Sequence, residues 1–118
     1  MAVTIDGTAN TITAEATSAA NAIGINQTWQ SFTTSGGSPQ RTTGTTYTNS
    51  TGRPIMIAFS CNSGGASPTI TIDSVTWTIG SGSSQYFNQA TFSGVIPSGS
   101  TYSVSSFGSG SVTWAELR

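Results

Sequence analysis

Groups able to perform acid–base, nucleophilic or metal chemistry are scarce in this sequence of 118 residues. It has no histidine, which excludes Ser-His-Asp and Cys-His mechanisms and histidine metal sites. The acidic residues lie far apart along the chain, at Asp6, Glu15, Asp73 and Glu116. A glycosidase needs two carboxylates about 5–10 Å apart, and nothing in this spacing pairs them. The sequence therefore predicts a protein that is not an enzyme and that needs no metal and no cofactor.

Aromatic and amide side chains are the groups of this sequence best suited to bind a ligand. An aromatic ring stacks on the face of a sugar, and amides hydrogen-bond to its hydroxyls. One group of such residues stands in the second half of the chain, and we take it as the candidate receptor-binding site: Trp77, Tyr86, Phe87, Asn88 and Gln89. The alternative is that the three tryptophans of the chain, Trp77 included, belong to the hydrophobic core.

Two isolated residues have both a chemical and a structural interpretation. Asp73 stands with Ser74 between two apolar stretches, a pattern typical of a hairpin turn. A calcium site built from the Asp73 carboxylate and nearby carbonyls is the alternative. Cys61 is the single cysteine, so an intrachain disulfide is excluded. We expect it to be a small buried apolar residue rather than a reactive thiol.

Charged residues make up only 6 % of the chain, against about 25 % in an average soluble domain. Three arginines and no lysine leave a formal net charge of −1. Because phosphate binding needs a basic surface, nucleic acid is not an expected partner. No apolar run approaches the roughly 18 residues of a membrane-spanning helix, and no basic segment followed by an apolar run marks a secretory leader. We therefore expect synthesis in a cytoplasm and no membrane insertion.

The first 27 residues differ in pattern from the rest. Two short alternating stretches flank Asp6 and Gly7 and predict a small hairpin. The alanine-rich run 14–22 fits either a helix of about two turns, capped by Thr13, or a linker. We place a boundary near residue 27, so that residues 1–27 form an N-terminal arm and residues 28–118 form a single domain.

From Trp29 onward, short alternating stretches are separated by turns rich in Gly, Ser, Asn and Pro. The spacing predicts about seven or eight strands. The run 53–61 is the most apolar of them, and apolar residues on both of its faces indicate that it is covered on both sides. The expected fold is all-β, an antiparallel β-sandwich or jelly-roll-like domain with a short N-terminal arm.

One hairpin can be predicted together with its register. A two-residue loop after Ile72 pairs that residue with Val75. The same register places Ile70 opposite Trp77, so that all four apolar side chains share one face of the sheet. A slip by one residue would break this agreement between loop length and hydrophobic pattern.

Several segments resemble the distal C-terminal domain of bacteriophage tail fibre proteins. The most specific is the run 41–55 (RTTGTTYTNSTGRPI), and the others are Trp29, the run 95–102 (VIPSGSTY) and the closing run 114–118 (WAELR). Together they extend over residues 29–118. Two features depart from that family: the loop 35–39 (SGGSP) is longer than expected, and the long shaft that normally precedes such a domain is not part of these 118 residues.

The resemblance implies a β-sandwich that assembles as a homotrimer, is attached to the virion by its N-terminal arm and binds host-surface polysaccharide or another virion protein. It implies no catalytic residues. A virion protein with a role in host attachment is therefore expected, made in the cytoplasm of the host. The alternative is a capsid decoration or head-fibre protein, in which residues 1–27 dock on the shell and the sandwich projects outward.

Overall fold

The computed structural model of the chain describes residues 3–6, 11–14, 22–62, 67–80, 89–105 and 112–118. Ten β-strands lie in these residues, and none of the residues so described is helical. In chain order the strands are β1 (Val3–Asp6), β2 (Thr11–Ala14), β3 (Trp29–Phe32), β4 (Tyr47–Thr48), β5 (Ile55–Asn62), β6 (Thr69–Ile72), β7 (Val75–Thr78), β8 (Gln89–Ile96), β9 (Thr101–Val104) and β10 (Val112–Leu117). The predicted all-β class is confirmed.

Eight of the strands form two four-stranded sheets. The first sheet has the order β3-β10-β5-β8, and the second has the order β4-β9-β6-β7. All pairings are antiparallel, and four of them are nested along the chain: β3 with β10, β4 with β9, β5 with β8 and β6 with β7. A long hairpin rolled up in this way is a jelly roll. The predicted sandwich of seven or eight strands is therefore confirmed, with eight.

The core lies between the inner faces of the two sheets and follows the two-residue period of the strands. On β5 the residues at alternate positions from Ile55 to Cys61 are buried. Their buried apolar partners from the other strands include Phe32, Ile70, Ile96, Tyr102, Val104 and Trp114. The opposite face of β5 is only half-buried at Met56 and Ala58. The prediction that β5 is covered on both sides is thus wrong for a single copy of the chain, because the outer positions of β5 stay partly exposed and no third layer lies over this sheet among the described residues.

The β6–β7 hairpin has the register expected from its sequence. Ile72 pairs with Val75, and Ile70 pairs with Trp77. Ile70 is fully buried, and directly opposite residues share a face, so the other three also stand on the inner face. Val75 and Trp77 nevertheless stay 54 % and 44 % exposed. Their strand is the last of its sheet, and a side chain at such an edge has a neighbouring strand on one side only.

The N-terminal arm contains the predicted hairpin. Strands β1 and β2 pair antiparallel, with Val3 opposite Ala14 and Ile5 opposite Ile12. Ala14 is the last residue of β2, so a helix capped by Thr13 does not start there. Residues 15–21, where the rest of the predicted helix or linker would lie, are outside the described residues.

The last part of the arm is bound to the sandwich. Gln27 donates from Nε2 to the carbonyl of Pro54, at 2.9 Å. Thr28 and Arg118 exchange two backbone hydrogen bonds, of 2.9 and 3.1 Å. Arg53 donates from Nη1 to the carbonyl of Ile25, at 2.7 Å. Residues 25–28 therefore follow the sandwich at the end where β5 begins and β10 finishes.

Candidate functional site

The structure describes two of the five predicted receptor-binding residues. Trp77 lies on β7 and is 44 % exposed, and Gln89 is the exposed first residue of β8. Gln89 donates from Nε2 to Ser60 Oγ, at 3.2 Å. Tyr86, Phe87 and Asn88 lie outside the described residues. Trp77 and Gln89 belong to different sheets, so they do not form one continuous surface along a strand.

The strands that bear Trp77 and Gln89 meet at one edge of the sandwich. A β-carbon added to Gly80, just after β7, would lie 2.6 Å from Cβ of Ala90 on β8. Only a glycine allows this close approach, because real β-carbons do not come so near one another. The edge strands of the two sheets therefore converge here, next to the exposed inner face of Val75 and Trp77. We call this side, formed by β7 and β8, the open edge.

The tryptophans divide between the two interpretations that the sequence allowed. Trp114 is completely buried in the core, as the core interpretation predicted. That interpretation is wrong for Trp29 and Trp77, which are 52 % and 44 % exposed. Both stand on strands at the edge of a sheet, where fewer neighbours cover them. An exposed indole ring is the kind of side chain that binds ligands by stacking.

A buried carboxylate accepts several hydrogen bonds in the core, and the sequence did not predict it. Glu116 on β10 is fully buried. Its Oε1 accepts hydrogen bonds from Arg41 Nε at 2.8 Å, Tyr102 OH at 2.9 Å and Trp114 Nε1 at 3.1 Å. Its Oε2 accepts from Arg41 Nη2 at 3.0 Å. The bidentate arginine pair is the strongest geometry for such a contact.

Arg41 also stacks against two aromatic rings. Its guanidinium carbon lies 4.1 Å from the centroid of Phe32 on β3 and 4.6 Å from that of Tyr47 on β4. These strands belong to different sheets, so the arginine spans the gap between them. We call this side, formed by β3, β4 and the connection 33–46, the closed edge. The connection itself is held by the Thr42 amide, which donates to Tyr47 OH at 2.7 Å.

Arg118 adds a second positive charge at the same carboxylate. Its Nε lies 3.4 Å from Glu116 Oε2, within the range of an ion pair. The geometry does not make a hydrogen bond, and this nitrogen has no other hydrogen-bond partner in the part of the chain that the structure describes. The contact is therefore electrostatic, and Arg41 supplies the directional bonds.

Two pKa values report the environment of this cluster. Burial, then the negative charge of Glu116 and the hydrogen bond to it, raise the pKa of Tyr102 from 10.0 to about 12. Burial alone would lower the pKa of Arg41, but the hydrogen bond and charge of Glu116 outweigh it, and the pKa is raised. Tyr102 thus stays a neutral donor and Arg41 a cation over the whole physiological range. Glu116 is fully buried, and both of its oxygens contact Arg41, so the carboxylate is not accessible to a substrate.

A second buried polar residue ties the turns at one end of the sandwich together. Asn49 is fully buried, and its Nδ2 faces the carbonyls of Arg53, Ile96 and Pro97 at 2.7, 3.0 and 3.1 Å. Its Oδ1 accepts from the Thr51 hydroxyl at 2.7 Å. The side chain therefore joins the turn before β5 to the turn between β8 and β9. Each polar atom of the buried amide is satisfied, as burial requires.

Asp73 and the single cysteine have structural surroundings. Asp73 accepts from the Thr101 amide at 2.9 Å, and this bond, with a second one from Ser100, lowers its pKa. The carboxylate thereby fixes the β6–β7 turn to the start of β9. Cys61 is buried, and burial raises the pKa of its thiol. No group of three metal-ligating His, Cys, Asp or Glu side chains occurs within the described ranges.

The buried polar residues coincide with the segments that carried the tail-fibre resemblance. The run 41–55 supplies Arg41, Tyr47 and Asn49, the run 95–102 supplies Tyr102, and the run 114–118 supplies Trp114, Glu116 and Arg118. From the sequence, Glu116 was expected to lie apart from the other acids, and no buried role was predicted for it. The usable signal was the alternation of Val112, Trp114 and Glu116, which puts the acid on the inner face of a strand.

Comparisons with protein-family models, with curated proteins and with solved structures found no match to this chain. Within the residues that are described, no helix is long and apolar enough to cross a membrane.

Proposed function

We propose that this protein is a bacteriophage virion component of the tail-fibre-tip type, which recognises a host-surface polysaccharide without catalysing a reaction on it. In this proposal the chain works as a homotrimer attached to the particle through residues 1–27. The observation that carries the proposal is the position of the residues of the resemblance. They form the two buried polar clusters, around Glu116 and Asn49, which join the two sheets and the turns at one end.

This coincidence supports a shared scaffold rather than a shared ligand site. Residues that hold a sandwich together determine its shape, and ligand specificity then depends on the side chains that remain exposed. Glu116 and Asn49 are fully buried and bonded, so they do not meet a ligand. A non-catalytic role is supported by the same geometry, because the one strongly bonded acid is committed to two arginines, a tyrosine and a tryptophan.

Recognition is assigned to the open edge. Trp77 presents a half-exposed indole there on the inner face of β7, while Thr76 and Thr78 place their hydroxyls on the opposite, outer face. An exposed indole of this kind stacks on the apolar face of a sugar ring. A trimer would present three such edges to one cell surface, and several weak contacts would add through avidity.

The test is binding of purified protein to polysaccharide isolated from a panel of bacterial hosts, measured by calorimetry. For the polysaccharide that binds, Trp77→Ala should weaken the affinity by about tenfold or more, since tryptophan contacts of this kind exceed about 1.4 kcal/mol. Trp77→Phe keeps an aromatic face and should retain most of the affinity. Thr48→Ala, at an exposed position on β4 at the opposite edge of the same sheet, is the control and should bind as the wild type does.

Two results would contradict the proposal. Unchanged affinity in Trp77→Ala would remove the open edge as the recognition surface. Failure of the wild type to bind any polysaccharide, together with binding to tail-free capsids, would favour the capsid decoration or head-fibre alternative. Release of shortened saccharide chains would show that the protein is an enzyme.

A further inference from the structure

The outer face of the β3-β10-β5-β8 sheet has an apolar row that crosses all four strands. The antiparallel registers align Trp29 with Leu117, Leu117 with Met56, and Met56 with Val95. These four residues, which we call the apolar row, lie side by side on the face that points away from the core. Trp29 is 52 % and Val95 47 % exposed, and the two central residues are half-buried. Large apolar side chains in contiguous exposed positions mark interaction surfaces.

The outer face of the other sheet has a different composition. The residues that alternate with its core positions are hydroxyl-bearing, on β4, β9, β6 and β7: Thr48, Thr101, Ser103, Thr69, Thr71, Thr76 and Thr78. A hydroxyl face of this kind is well solvated. The apolar row is therefore not the general surface composition of the sandwich but a property of one sheet.

The surroundings of the apolar row allow another sheet to approach closely. The next row along the strands consists of Ser31, Ala115, Ala58 and Ser93, which are all small. Beyond it the outer-face positions are Thr113, Ser60 and Thr91, and then Asn62 and Gln89. None of these residues is charged. A face that meets its own copy brings like charges together if it has any, so the absence of charge on these outward positions suits self-association.

We infer that the apolar row is the surface through which copies of this chain associate. The adjacent row of small residues, Ser31, Ala115, Ala58 and Ser93, forms the flat part of the interface. The partner is a second copy, because the uncharged face offers no complementarity to an acidic or basic protein. The hydroxyl face and the open edge then remain free. This inference rests on the proposed self-assembly but not on the proposed receptor.

The experiment measures molar mass by light scattering and sedimentation for the full chain and its variants. The wild type should be an oligomer. Val95→Ser should weaken association by more than tenfold, and Trp29→Ser/Val95→Ser should be monomeric. Val75→Ser is the matched control, since it makes the same substitution at a similarly exposed valine on the open edge, and should assemble as the wild type does. Ser93→Lys adds a charge to the face without removing a core contact and should also block assembly.

The outcomes separate the two proposals. A monomeric wild type at all concentrations would overturn both the self-assembly and the surface assigned to it, and would point to another occupant of the apolar row. Assembly that survives Val95→Ser and Ser93→Lys would overturn the surface and leave self-assembly standing. Loss of assembly in these variants, with no polysaccharide bound by the wild type, would support the surface while contradicting the receptor role.

Discussion

At the closed edge, the connection 33–46 passes from one sheet to the other, and Arg41 enters between Phe32 and Tyr47 to reach Glu116. At the open edge, the same kind of gap between two edge strands leaves Val75 and Trp77 half exposed on their inner faces. Both edges present the same problem, because the core of a sandwich is least covered where its sheets end. One is covered by a stacked, ion-paired arginine, whereas at the other Val75 and Trp77 remain exposed and no described residue plays the part of Arg41.

The difference has an energetic cost at each edge. A buried ion pair requires the removal of water from two charges, and the loss of hydration is offset only if both partners are fully bonded. Glu116 meets this condition, so the closed edge is stable while both partners are present and vulnerable when one is removed. An exposed tryptophan costs stability as well, because its apolar surface remains in water. We interpret the closed edge as the part that fixes the fold and the open edge as the part left available for a ligand.

The largest effect is expected from breaking the closed edge. Glu116→Gln removes the negative charge and leaves Arg41 buried without its partner, which should lower the free energy of unfolding by about 3–5 kcal/mol. The measurement is chemical denaturation at neutral pH. The double variant Arg41→Met/Glu116→Leu removes both charges and should recover much of that loss.

Asp73, the other acid that is described outside the N-terminal arm, provides the control for the Glu116→Gln prediction. Asp73→Asn makes the same change from acid to amide on the surface and keeps an oxygen for the Thr101 amide, so its denaturation midpoint should stay at the wild-type value. A midpoint for Glu116→Gln equal to that of Asp73→Asn would show that the buried carboxylate does not stabilise the closed edge.

Strand positions and one register followed directly from the sequence. The β6–β7 hairpin was predictable because a two-residue loop and the apolar pattern around Ile70 and Trp77 allow one register only. The burial of each side chain could not be predicted in this way, because exposure depends on which strands lie at the edges of the sheets. The order of the strands in a sheet is set by pairings such as β3 with β10 and β5 with β8, and these strands are far apart in sequence.

The buried polar clusters were less predictable for the same reason. Arg41 and Glu116 are separated by most of the domain, and no local pattern connects them. Among the candidate site residues, Trp77 and Gln89 are exposed as a binding role requires, but they lie on strands of different sheets.

A smaller effect on the closed edge is expected from alkaline pH. The folded state holds the pKa of Tyr102 at about 12, above its value of about 10 in an unfolded chain. Between these values the unfolded chain binds fewer protons, so unfolding becomes more favourable as the pH rises. The contribution of Tyr102 is complete below pH of about 10 and is lost as the pH rises through about 12.

The measurement is denaturation across that pH window, together with the tyrosinate absorbance of the folded protein. Tyr102→Phe should be less stable at neutral pH, because Glu116 Oε1 loses a donor, but should show a flatter decline in stability above pH of about 10. Parallel declines in the wild type and in Tyr102→Phe would mean that another group sets the alkaline limit.

The smallest effect is expected at the open edge. Thr71 Oγ1 and Thr76 Oγ1 lie 2.9 Å apart across β6 and β7, on the outer hydroxyl face. Thr76→Val removes this solvated hydrogen bond but keeps a β-branched side chain suited to a strand, so the free energy of unfolding should change by less than about 1 kcal/mol. Denaturation under the conditions used for Glu116→Gln gives the direct comparison. A loss as large as that of Glu116→Gln would show that the open edge also fixes the fold, and the contrast between the two edges would then be wrong.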